Sequence, residues 1–286
     1  MINNSNINQL NERMGFTDAV PSELVDKIWH EYLKTTFATR RPKYSTPFTV
    51  DTQQFEGFPE RMTFVVEKGL DNDYYKAALF NDGSIHMNVD ALSELSDEEA
   101  KSSVEHELVH VLQYEKERTG ERKEGEYGYN KAVNQGLIDE KERRSSLWMM
   151  EQLQEKEIEA RLSQLYKYIK NSMHGITPQG SITEYVKMIV GSLEEITKLS
   201  DLETVINRVQ GICDGSYLYY INLFVKDAQA ALYGANSGKK KLSLPEAKKM
   251  AAKLLGIYRN RFDRYRKRVY NAAYQAVQDA QQKSEP

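Results

Sequence analysis

The segment at residues 96–118 constrains the fold most, because it combines a helix start with an uninterrupted helical pattern. Ser96 is followed by three acidic residues, and Glu99 stands where a capping box requires Glu or Gln. An apolar stripe recurs at helical spacing, formed by Ala100, Val104, Leu108 and Val111. The pattern predicts one helix over this segment, with His106 and His110 on a different side from the stripe.

The two histidines are four residues apart, so on a helix both imidazoles can reach one metal ion. Glu107 lies about 100° round the helix from His106, beside the ion, where its carboxylate can accept a proton from a water that the metal activates. This spacing predicts a Zn²⁺ site with His106 and His110 as ligands and Glu107 as general base. The alternative is a charged surface helix that contains two histidines by chance.

Cysteine usage limits the other donors that a metal could have. Cys213 is the only cysteine, which excludes an internal disulfide framework and a Cys-rich zinc module. Any metal must therefore be held by His and carboxylate side chains. Cys213 has no His or acidic grouping near it, so we expect a packing residue and not a nucleophile.

The chain before this helix combines one helical pattern with three strand patterns. A helix is predicted over residues 22–37, and strands are predicted over 61–67, 75–80 and 84–89. Asp82-Gly83 between the last two strands is a strong hairpin signal. These patterns predict a small antiparallel sheet.

The chain after residue 144 is predicted to be helical almost throughout. One helix is expected from about residue 145 to 169, and four more follow at 182–198, 201–212, 216–233 and 245–282. The fold class is therefore α+β, with a mostly α-helical C-terminal region.

We expect three parts in this chain. They are an N-terminal helical segment at 1–48, a domain at 49–172 that carries the sheet and the helix with the two histidines, and a helical domain at 173–286.

The sequence VEHELVHV at 104–111 resembles the active-site helix of the zincin metallopeptidases. The resemblance covers about residues 60–170 and implies a zincin-like catalytic domain that hydrolyses peptide or protein substrates. In that family an antiparallel edge strand lies above the helix and holds the substrate as an added strand. The resemblance implies that residues 84–89 are this strand.

A catalytic zinc needs a third protein ligand, and the third histidine of the metzincins is absent from residues 111–117. The sequence EIEAR at 157–161 resembles the E-x-x-A pattern of the gluzincins, including minimal bacterial and phage-encoded peptidases. Glu157 shares a helix face with Ala160, whereas Glu159 points about 200° away from Glu157, so we expect Glu157 to be the third ligand.

Other ligands remain open alternatives to Glu157: Glu159, His86 and His174. The family often has an acidic residue where Arg161 stands, so the groups that support the histidines are expected to differ here. Tyr127, Tyr129 and His174 are candidates for a donor that stabilises the oxyanion, and the sequence does not choose among them.

The stretch from Lys239 to Arg268 contains twelve Lys or Arg residues and two acidic ones. A helix with this charge can bind nucleic acid, but its aromatic residues fall on the apolar stripe and argue against base stacking. The alternative functions are thus a nucleic-acid-associated protein, or a structural, virion-associated protein with a degenerate zincin fold.

The first sixteen residues are polar and lack the pattern of a secretory signal, and no apolar run approaches the roughly 20 residues that cross a bilayer. We expect a cytoplasmic protein without a membrane partner, or a virion-associated one if a phage encodes it.

Overall fold

The computed structural model describes residues 20–69, 75–80, 82–119, 141–173, 180–233 and 242–282. Four strands and ten helices lie within these ranges. They are, in chain order, α1 (Ser22–Ala38), β1 (Tyr44–Asp51), β2 (Arg61–Lys68), β3 (Ala77–Leu79), β4 (Ile85–Asn88), α2 (Val89–Leu92), α3 (Asp97–Arg118), α4 (Lys141–Gln152), α5 (Glu155–Ser172), α6 (Ile182–Ser192), α7 (Glu194–Thr197), α8 (Leu199–Asp214), α9 (Leu218–Tyr233) and α10 (Leu244–Gln282). The α+β class is confirmed.

The chain divides into two compact units that are not consecutive in sequence. Unit 1 comprises residues 1–123, 159–177 and 276–286, and unit 2 comprises 124–158 and 178–275. The division falls inside α5, which is one continuous helix. The predicted domain boundaries at residues 48 and 172 stay predictions.

The sheet of unit 1 has the strand order β1-β2-β4-β3. β1 pairs antiparallel with β2 and β3 pairs antiparallel with β4, but β2 and β4 run parallel. The prediction of an antiparallel sheet with residues 84–89 at its edge was therefore wrong. The chain passes from β2 to the far edge, forms β3 and returns through a hairpin, which inserts β4 beside β2.

The predicted hairpin between β3 and β4 is confirmed. The amide of Phe80 donates to the carbonyl of Ser84 at 2.8 Å, and the amide of Gly83 donates to the carbonyl of Phe80 at 2.9 Å. Gly83 has a φ of 81°, a left-handed conformation that glycine adopts without a steric penalty.

One face of the sheet carries the core of unit 1, because alternate side chains of each strand point to the same side. This face packs against α1 and α3. The cluster includes Leu24, Ile28, Phe64, Val66, Ile85, Met87, Val104, Leu108 and Ala160. The helix predicted at residues 22–37 and the helix predicted at 96–118 are both confirmed.

Other parts of the sequence interpretation also needed correction. β1 was missed, because Pro47 lies inside it; a proline is tolerated there since β1 is an edge strand of the sheet. The single helix expected from residue 145 to 169 is two helices, which break at Leu153 and Gln154.

Unit 2 is helical throughout its described residues. α4 packs against α8 and α9, and α8 also packs against α9. The hydroxyl of Tyr265 on α10 donates to the carbonyl of Thr197 at 2.7 Å, and Nζ of Lys248 donates to the carbonyl of Asp214 at 3.0 Å. No helix in the described ranges has both the length and the apolar character that crossing a membrane requires.

Candidate metal centre

The first helix of the candidate centre, α3, begins with the predicted capping box. Oγ of Ser96 lies 3.4 Å from the amide of Glu99, and the carboxylate of Glu99 accepts from the amide of Ser96 at 3.0 Å. Acidic residues occupy its first turn, and Lys116 and Arg118 lie in its last turn, so the side-chain charges complement the helix dipole at both ends. These local features form a helix that holds the motif in a fixed register.

The two histidines of α3 face each other through their Nε2 atoms, which are 3.2 Å apart. The ring centroids are separated by 4.9 Å and the ring planes cross at 81°. Two nitrogens bound to a tetrahedral zinc at about 2.0–2.1 Å would be about 3.3 Å apart. The observed separation therefore fits two ligands of one ion.

Glu157, in the first turn of α5, completes a group of three donors with His106 and His110. One ligand atom from each residue lies within 4.8 Å of the others. His110 is buried, and His106 and Glu157 are half-buried. Two imidazoles and one carboxylate form the donor set of many catalytic zinc sites, so these residues fit the metal predicted from the sequence.

α5 packs antiparallel to α3 within unit 1. Nζ of Lys167 lies 3.1 Å from the carboxylate of Glu105, and Nε2 of Gln113 donates to the carboxylate of Glu159 at 3.2 Å. The earlier residue of α3 contacts the later residue of α5, and the later residue of α3 contacts the earlier one of α5. The two helices therefore run antiparallel. Ala160 is fully buried, so its small side chain permits the close approach expected from the E-x-x-A pattern.

The carboxylate of Glu107 is held by the edge strand of the sheet. The amide of Leu79 in β3 donates to Oε2 of Glu107 at 2.8 Å. On either side of β3, the amide of Phe80 donates to the carbonyl of Ser84, and the carbonyl of Lys76 accepts from the amide of Asn88. Backbone groups alternate in direction along a strand, so those of Leu79 point to the free edge. This bond leaves Oε1 as the oxygen that can take up a proton.

The alternative ligands are not in the group. Glu159 accepts a hydrogen bond from Gln113 instead. His86 lies on the opposite face of the sheet from the core, where Nδ1 is 2.9 Å from Glu67 Oε1 and Nε2 is 3.1 Å from Ser84 Oγ. His174, Tyr127 and Tyr129 lie outside the described residues.

Gln113 is the residue that the sequence interpretation missed. Its Oε1 lies 2.9 Å from Nδ1 of His110, and only 4% of the residue is exposed. A ligating histidine usually donates its second ring nitrogen to a protein oxygen, so the three-residue spacing from His110 was the available signal.

Two other predictions concern unit 2. Cys213 is 3% exposed and burial raises the pKa of its thiol to about 12, which confirms a packing residue. The predicted apolar stripe of α10 is largely buried, with Leu254, Tyr258, Phe262, Tyr265 and Val269 in the core. The exposed basic residues of the helix are Lys249, Lys253, Arg259, Arg264, Arg266 and Lys267.

Comparison of the chain with protein-family models, with curated proteins and with solved structures gives no match. The functional interpretation therefore depends on the residues of the candidate centre and on their geometry.

Proposed function

We propose that this protein is a zinc-dependent metallopeptidase of the gluzincin type, with His106, His110 and Glu157 as metal ligands and Glu107 as general base. The observation that carries the proposal is the group of three donors whose ligand atoms lie within 4.8 Å of one another. When bound, zinc supplies Lewis acidity and lowers the pKa of a water molecule to about 7.

Glu107 performs the proton transfers in this proposal. Leu79 holds Oε2 through its amide, so the carboxylate has a fixed orientation. Glu107 takes a proton from the attacking water through the other oxygen and then delivers it to the leaving amine, as a general base and general acid. A glutamate outside hydrogen-bond distance of the attacking water would lose this function, because proton transfer requires that distance.

The free edge of β3 supports a peptide as the substrate. The backbone groups of Ala77 and the carbonyl of Leu79 alternate with those that bond to β4, so they point away from the sheet, and the amide of Leu79 donates to Glu107. An extended peptide can add to such an edge as a further strand. The edge lies beside Glu107, which would bring a backbone amide of the substrate to the group that accepts and donates protons.

The test measures zinc content and cleavage of an unfolded protein substrate such as casein. Glu107→Gln is expected to keep zinc and to lower kcat by about 10²–10⁴-fold, because the amide cannot accept the proton. Glu157→Ala is expected to lose zinc. Glu98→Gln changes an exposed glutamate in the first turn of the same helix and should leave both properties unchanged.

Two outcomes contradict the proposal in different ways. Wild-type protein that binds no zinc after loading and dialysis would exclude the metal centre. Zinc binding together with full activity of the Glu107→Gln variant, or with no activity in any form, would favour a structural site in a degenerate zincin fold.

A second candidate function is nucleic-acid binding through α10. The exposed row of Lys249, Lys253, Arg259, Arg264 and Lys267 favours it. Against it, Tyr258, Phe262 and Tyr265 are buried and are not available for stacking on bases. Binding whose logarithm falls steeply with the logarithm of salt concentration, and which neutralising Arg264 and Lys267 weakens, would support this candidate.

A further inference from the structure

The second glutamate of the EIEAR sequence, Glu159, bonds to Gln113, and Gln113 bonds to His110. Nε2 of Gln113 lies 3.2 Å from Oε2 of Glu159, and Oε1 of Gln113 lies 2.9 Å from Nδ1 of His110. His110 is 9% exposed and Gln113 is 4% exposed, so water is largely excluded from the contact between these two residues. All three residues belong to unit 1.

The chemistry of these groups determines which atom donates in each of the two hydrogen bonds. An ionised carboxylate only accepts hydrogen bonds, so the group of Gln113 that faces Glu159 must be the amide NH₂. The amide oxygen then faces His110 and also accepts, so Nδ1 of His110 must donate a proton. In a neutral imidazole the remaining nitrogen, Nε2, carries the lone pair. That nitrogen is the one that faces His106.

We propose that Gln113 and Glu159 are positioning residues that hold His110 in the tautomer and ring orientation needed to bind a metal through Nε2. This inference rests on the proposed metal centre and adds two residues to it. It also gives the two glutamates of EIEAR separate roles: Glu157 supplies a ligand atom, and Glu159 orients the amide that orients His110.

The chain of hydrogen bonds from Glu159 through Gln113 to His110, called the relay below, is built from both helices of the candidate centre. Gln113 lies one turn after His110 on α3, and Glu159 reaches it from α5. The relay therefore forms only when the two helices pack together. A broken relay would leave buried hydrogen-bonding groups that little water can reach, which is costly at a site of this burial.

The experiment measures zinc affinity of the full-length protein by competition with a chromophoric chelator. Gln113→Leu replaces the amide with an apolar side chain of similar size and is expected to weaken zinc binding about 10–100-fold. Glu159→Leu should weaken it similarly, and Glu159→Gln should restore most of the affinity, because an amide oxygen can still accept from Gln113. Gln152→Leu changes another buried glutamine and serves as the matched control.

A second readout follows the tautomer of His110 in the metal-free protein. The ¹⁵N shifts of the wild-type ring are expected to show a protonated Nδ1, and those of Gln113→Leu a mixture of tautomers. Unchanged zinc affinity in a folded Gln113→Leu protein would overturn the relay and leave the metal centre intact. If Gln113→Leu does not fold, equal affinities of Glu159→Leu and Glu159→Gln would overturn it. Wild-type protein without zinc affinity would overturn the metal centre and the relay together.

Discussion

Unit 1 contains two histidine clusters whose ring nitrogens have different partners. On the outer face of the sheet, His86 lies between Glu67 and Ser84, and its ring stacks on Phe80 with a centroid distance of 4.0 Å. On α3, His110 bonds to Gln113 through Nδ1, and its Nε2 faces the Nε2 of a second histidine at 3.2 Å. One cluster directs both nitrogens to protein oxygens, and the other directs two nitrogens to one point.

The hydrogen-bond partners of the ring nitrogens show how the two clusters differ as possible metal sites. The hydroxyl of Ser84 donates to Asp82 at 2.6 Å, and its oxygen also lies 3.1 Å from Nε2 of His86. Nδ1 of His86 donates to the Glu67 carboxylate. Both nitrogens of His86 thus lie within hydrogen-bond distance of protein oxygens. On α3, the contact of Nδ1 with Gln113 leaves Nε2 of His110 as the nitrogen that can bind a cation.

The largest effect that separates the two clusters is expected on metal binding. Structural zinc binds with about 10–16 kcal/mol, so loss of one of three protein ligands in His110→Ala should cost roughly a third of this, or about 10²–10³-fold or more in affinity. His86→Ala should leave zinc affinity unchanged. Isothermal titration with Zn²⁺ checks both variants, and a comparable loss in His86→Ala would break the comparison.

The next largest effect is expected on the free energy of unfolding, and here the outer cluster is the more sensitive of the two. Glu67 is 8% exposed and accepts hydrogen bonds from His86 and from the hydroxyl of Tyr75. Glu67→Ala leaves both donors without this acceptor and should lower the free energy of unfolding by about 2–4 kcal/mol. Urea denaturation of the metal-free protein measures the change.

Glu60→Ala removes an exposed carboxylate just before β2 and is the matched control, with no resolvable effect expected. A Glu67→Ala protein as stable as this control would show that the outer cluster is not structural. Retained zinc affinity in Glu67→Ala would sharpen the separation between the two clusters.

The sequence predicted helix α3 correctly because its signals are local. A capping box, an uninterrupted stripe and a four-residue spacing all lie within one helix. Strand β1 was missed because Pro47 is a local argument against a strand, whereas its tolerance at an edge depends on the whole sheet. The break between α4 and α5 has no Pro or Gly to mark it.

The remaining features depend on which segments meet. The position of β4 between β2 and β3 is a property of chain topology, so the hairpin was predicted correctly and its edge strand was not. Gln113 has only its three-residue spacing from His110 as a sequence signal, and its contact with Glu159 depends on the packing of α5 against α3. The choice between Glu157 and Glu159 could be argued from helix geometry because one helix face carries both Glu157 and Ala160.

A smaller effect, on kcat, is expected from changes in β3. This strand contributes to both faces of the sheet: Tyr75 and Phe80, which flank it, contact the outer cluster, and the amide of Leu79 donates to Glu107. Leu79→Pro removes this amide without removing a ladder bond, and should lower kcat about tenfold relative to Leu79→Ala, with zinc retained. Leu79→Ala is the control because it shortens the side chain and keeps the amide. Equal kcat values would show that the bond to Glu107 does not orient the base.

The smallest effect is expected on the pKa of Asp82 and tests the hydrogen bond that the hydroxyl of Ser84 donates to it. Hydrogen bonds from the hydroxyl and then the amide of Ser84 lower the pKa of Asp82. A carboxyl whose pKa is lower in the folded state adds stability above its unfolded pKa, and this stability is lost as pH falls through the folded pKa. Ser84→Ala removes the hydroxyl and should raise the pKa of Asp82 towards its ordinary value, as measured by carboxyl ¹³C NMR. An unchanged pKa would show that the hydroxyl of Ser84 does not donate to Asp82 and is available to Nε2 of His86 instead.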